Sequence, residues 1–143
     1  EMDETNKNCT DIQFHHCHKI TGGITFGKVY TFDTAVFGKA AIKAYGLECN
    51  EAVYPRIIVD KSAFDDVTSR LVSYVVQDSD GRYFFDFMAF NKHNNNQQIH
   101  KDLCFLNKLI EFVNHEIHDA FSTNNAKLIG QLEWYARFLE KYK

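Results

Sequence analysis

Basic residues do not outnumber acidic ones here: 16 Lys and Arg stand against 19 Asp and Glu, for a net charge of −3. Binding to a nucleic-acid backbone gains from counterion release by clustered cations, so the balance argues against a nucleic-acid partner. No apolar run reaches the roughly 18 to 20 residues needed to span a bilayer, and EMDETNKNCTD has no apolar core of a secretion signal. A soluble, cytoplasmic protein with no membrane partner is expected. The four cysteines, Cys9, Cys17, Cys49 and Cys104, form no C-x-x-C pair and read as reduced thiols. Proline occurs once, at Pro55, so little interrupts regular structure. What is plentiful is apolar: 45% hydrophobic and 15% aromatic residues over 143 positions, enough for one sizeable core.

The pattern along the chain predicts a mixed α+β domain. Residues 1–20 read as a flexible or strand-like segment. In GGITFGKVYTFDTAVF, residues 22–37, β-branched and aromatic residues are broken at Phe32-Asp33-Thr34, which predicts two strands and a short turn. Residues 38–52 carry helical spacing, with Pro55 just beyond. RIIVD, residues 56–60, reads as a buried strand. Ser62 and Asp65 form a capping-box pattern opening a short helix to about Ser69. Tyr74 and Val76, then Tyr83, Phe85 and Phe87, alternate about Asp80-Gly81, a hairpin signature. The Asn-rich stretch 91–98 reads as a linker. In 99–143, Leu103, Leu106, Ile110, Val113, Ile117 and Phe121 mark one amphipathic helix, and Leu128, Leu132, Tyr135, Leu139 and Tyr142 a second.

Three short motifs suggest chemistry and fall short of it. Gly22, Gly27 and Lys28 satisfy G-x-x-x-x-G-K, but Val29 stands where a phosphate loop needs Ser or Thr, and strand rather than helix is expected to follow. FHHCH offers His15, His16, Cys17 and His18 as zinc ligands, yet an extended segment splits them between faces. Asp78 and Asp80 lack the later glutamate of a calcium loop and fit the hairpin turn. No nucleophile and base signature of a hydrolase is present.

The ordered series GGITFGKVY, VFGKAAIKAYGLE, AVYPRIIVD and DSDGRYFFDF, with QLEWYARFL near the end, resembles the later part of class III nucleotidyl cyclase domains. It is most similar to the bacterial pyrimidine cyclases of Pycsar antiphage systems. The resemblance implies a partial ferredoxin-like cyclase core over residues 21–90, an antiparallel sheet with helices on one face, followed by a helical hairpin over 99–143. It implies a homodimer with nucleoside triphosphate bound between protomers. The family reaction converts an NTP, here UTP or CTP, to a 3′,5′-cyclic NMP and pyrophosphate, with Mg or Mn neutralising charge at the in-line displacement. The family's metal-binding aspartates have no counterpart here, so no metal ligand is assigned and the chain is expected to be inactive alone, its metal-binding part lying outside it. The alternative is a non-catalytic nucleotide-sensing or dimerisation module. The transition-state asparagine and arginine positions fall on Ile42 and Gly46, and the arginine that leads the glycine strand is replaced by Thr21. Arg56 and Lys43, with Tyr45 and Tyr54 as stacking rings, are the nucleotide-binding candidates. The competing reading makes Arg56 a surface ion pair and the tyrosines core.

Overall fold

A computed structural model describes residues 20–63, 73–94 and 99–143. The chain divides into two compact units, Lys19–Phe90 and one containing Asn91–Lys143. The FHHCH cluster, Asp65 and the stretch 95–98 lie outside the described residues.

In the first unit, strand β1 (Gly22–Ile24) is followed by a hairpin of β2 (Tyr30–Phe32) and β3 (Ala35–Phe37), helix α1 (Lys39–Gly46), β4 (Ile57–Val59), β5 (Val75–Gln77) and β6 (Tyr83–Phe85). The main sheet has the order β1-β4-β6-β5, while β2 and β3 pair only with each other. The expected turn between β2 and β3 forms at Asp33-Thr34, with Asp33 at φ 54°, a value that aspartate tolerates better than most residues. The hairpin of β5 and β6 turns about Asp80-Gly81 as its sequence predicts, with Gly81 at φ 81°.

The sheet is mixed rather than wholly antiparallel. α1 carries the chain back to the end from which β1 began, so β4 runs parallel to β1, with Gly23 opposite Ile58. The helix lies directly on the strand: a Cβ at Gly23 would come 2.3 Å from the Ala44 carbonyl oxygen and 2.7 Å from Leu47 Cβ. Leu47, Ala52 and Ile58 form a buried apolar cluster beside this contact, and full burial of a side chain like Ile58 stabilises by about 1.5–3 kcal/mol. The helix expected over 38–52 is present, but its last turn, Leu47–Glu51, is π-helical, closed by Ala52 N–H donating to the Leu47 carbonyl at 2.9 Å.

One further expectation lies mostly outside the described residues and another is corrected. Of the helix expected from Ser62 to about Ser69 only the first two residues are described, within a 3-10 turn, Lys61–Ala63, where Asp60 accepts from the Ser62 backbone N–H at 3.2 Å. The stretch 91–98 is not all linker: helix α2 (Phe87–Asn94) includes its first four residues. Asp86 starts that helix, accepting from Ala89 N–H at 3.0 Å, and this cap outweighs the poor helix propensity of asparagine.

The second unit contains α3 (Ile99–Ser122) and α4 (Ala126–Glu140), the expected helical pair. Asn125 caps α4 by accepting from Leu128 N–H at 3.1 Å. In α3, Leu106, Ile110, Val113 and Ala120 are buried, whereas Phe121, placed in the seam by sequence, is 59% exposed. Steps alternating three and four carry the seam from Ile117 to Ala120 and leave Phe121 beside it. On α4 the buried set includes Trp134 and Phe138 beside the expected Leu132, Tyr135 and Leu139.

Candidate functional site

At the carboxyl ends of β1 and β4, where open parallel sheets offer ligand crevices, four polar side chains converge. Thr25 follows β1, Asp60 follows β4, Ser62 lies on the 3-10 turn and Lys43 projects from α1. The Asp60 backbone N–H donates to the Ile24 carbonyl at 2.8 Å, extending the parallel pairing by one residue and placing the carboxylate between strand and helix. Asp60 Oδ2 accepts from Thr25 Oγ1 and from Ser62 Oγ, both at 2.7 Å, and pairs with Lys43 Nζ at 2.5 Å. Lys43 also donates to Ser62 Oγ at 2.9 Å. Burial by itself would raise the Asp60 carboxyl; the hydrogen bonds from Lys43, Thr25 and Ser62 outweigh it and hold the group well below the usual carboxylate range.

This arrangement does not activate Ser62 as a nucleophile. Lys43 is a donor to its hydroxyl, and Asp60, fully engaged and strongly acidic, is a poor base at neutral pH. The cluster ties β1, β4 and α1 together.

Arg56 stands at the other end of β4. The three residues of β4 separate it from Asp60, four steps of extended chain or roughly 13 Å, so the structure does not bring Arg56 and Lys43 to one site. Its side chain is fully buried and donates to Asp78 and, through both terminal nitrogens, to Asp80. The Arg56 guanidinium beside Asp80 holds that carboxyl below its ordinary value. The Tyr54 ring lies 5.1 Å from the Arg56 guanidinium carbon, a cation–π contact. Arg56 is thus an ion pair in the interior rather than on the surface, spent on the hairpin turn. Asp78 and Asp80, which sequence reasoning assigned to turn chemistry, are also its partners.

Tyr45 and Ile42 face solvent on α1, at 69% and 72% exposure. Tyr45 is therefore not part of the core. Gly46, one turn after Ile42, has open space where a side chain would be, the Asn50 amide nitrogen being 3.9 Å from the ideal Cβ position. Thr21, where the cyclase resemblance would place an arginine, donates to Glu48 at 3.2 Å.

Sequence reasoning missed two features. In sequence Asp60 reads as the end of RIIVD, although an aspartate directly after an apolar strand and two residues before a serine is a cap signal. On α3, His115, Glu116 and Asp119 place possible metal-ligand atoms within 4.8 Å of one another; all three come from one helical turn, and His115 and Asp119 are exposed. Among the described residues, no helix is long and apolar enough to cross a membrane. No protein-family model, characterised protein or solved structure gives a match to this chain.

Proposed function

We propose that this chain is the cyclase-homology portion of a nucleotidyl cyclase-like protein, acting as a dimerising, nucleotide-sensing element that does not turn over nucleotide on its own. The observation that carries this reading is the β2–β3 hairpin, all six of whose strand residues are exposed. Successive side chains in a strand point to opposite faces, so neither face of the hairpin is packed. An isolated two-stranded hairpin is marginal in water, and this one carries Phe32, Val36 and Phe37. It leads directly into α1, whose Ile42 and Tyr45 add further exposed apolar area, a combination that favours burial against a second copy. Ile42 and Gly46 have no side-chain donor for a transition state, which supports sensing over turnover. Divalent metal and UTP or CTP remain the cofactor and ligand that the cyclase resemblance suggests.

Light scattering after size exclusion is expected to give a dimer that Phe32→Asp and Ile42→Asp convert to monomer. Incubation with the four NTPs and manganese is expected to yield no cyclic mononucleotide. A monomer at every concentration up to the millimolar range sinks the dimerisation proposal, and cyclic product from the purified chain sinks the non-catalytic one.

A further inference from the structure

We propose that a small phosphorylated ligand with a flat apolar group binds between the Phe26–Lys28 loop and the first turn of α1. Lys28 and Lys39 would meet its phosphate, and the rings of Phe26 and Tyr30 its apolar part. A pocket of about 500 Å³ opens there, lined by Phe26, Gly27, Lys28, Tyr30, Lys39, Ala40 and Lys43. That volume lies in the range of small-molecule sites.

Close backbone contact forms it. A Cβ at Gly38 would come 2.8 Å from the Lys28 carbonyl oxygen, and φ there is 132°, so a side chain is excluded and the loop lies against the helix start. Among the described residues, no acidic side chain lines the pocket. Lys43 is matched by Asp60, but neither Lys28 nor Lys39 has an acidic partner among the described residues, which leaves two uncompensated cations over one cavity. The first turn of α1 has no acidic residue and no side-chain cap, so nothing in the helix opposes an anion there. The exposed Phe26 and Tyr30 rings, 68% and 59% accessible, supply the apolar wall. The inference does not rest on the cyclase-like reading, because a chain that stays monomeric still has this pocket.

The test is a titration of the 15N-labelled full chain with phenyl phosphate and, separately, inorganic phosphate at constant ionic strength, following amide resonances. Shifts centred on Gly27, Gly38 and Ala40 are expected, with phenyl phosphate saturating at about fivefold lower concentration because its ring is buried. Lys28→Ala with Lys39→Ala is expected to weaken both ligands by about tenfold, while Lys28→Arg with Lys39→Arg keeps binding. The dispersion of each spectrum reports whether the variant is folded, and the single alanine variants replace the double one if it is not. Shifts that are scattered or unchanged in the folded alanine variants overturn the proposal. Equal saturation by the two ligands overturns the assignment of the rings.

Discussion

Arg56 and Asp60 bracket the same short strand, and each centres a cluster of opposite charges, but the buried partner differs. At the first end the cation is buried, its side chain 0% accessible, and the carboxylates of Asp78 and Asp80 reach toward solvent. At the second end the carboxylate is buried and the cation, Lys43, is half exposed. A buried guanidinium has no hydration to return to when its partners leave, and its partners cannot be replaced by water. A half-exposed ammonium keeps most of its hydration. The same count of opposite charges therefore means a structural dependence at Arg56 and an adaptable contact at Lys43, with Asp60 between the two.

The sharpest challenge to this contrast is Arg56→Met, which leaves Asp78 and Asp80 facing each other at the hairpin turn. Removing one partner of a buried pair costs about 3–5 kcal/mol, and the partial exposure of the two aspartates places the expected loss near 3. Urea denaturation of the full chain measures it, and a loss under about 1 kcal/mol would erase the distinction.

Asp60→Ala comes next, at about 2 kcal/mol, since it removes the shared acceptor of Thr25, Ser62 and Lys43 while Lys43 regains water. It also has a pH signature. Asp60 and Asp80 both have carboxyls lowered by folding, so their contribution is fully present above the unfolded value of about 3.9 and is lost as pH falls below it toward the folded values. Wild-type stability should decline below about pH 4, and Asp60→Ala should decline less steeply. An unchanged acid slope would remove Asp60 from the account.

The smallest effect is expected from Lys43→Met, below about 1 kcal/mol and reduced further by salt, as for other exposed pairs. A thermal melt of this variant at two ionic strengths checks it. A salt-independent loss comparable to that of Arg56→Met would reverse the comparison.

The α+β character, the hairpin at Asp80-Gly81 and the two terminal helices are legible in the sequence because each rests on local rules: a turn that accepts positive φ, or an apolar repeat of three and four. The parallel pairing of β1 with β4 is not, because strand direction depends on where α1 returns the chain. Burial of Arg56 was hidden for a similar reason. Nothing near position 56 announces that Asp78 and Asp80, more than twenty residues later, will fold over it. The glycine-lysine stretch TGGITFGKVY shows both limits. No helix follows Lys28 in sequence, yet the start of α1 lies against it in space. Adjacency, not succession, makes the cavity.

The contact at Gly23 has a mechanical consequence. Most helices rest on a sheet through side chains, whose rotamers act as a compliant layer and absorb small shifts. Between Gly23 and Ala44 there is no such layer, and main chain bears on main chain. A side chain at position 23 could therefore be seated only by moving main chain, so the spacing between helix α1 and strand β1, an edge of the main sheet among the described residues, is set by the lack of an atom at Gly23.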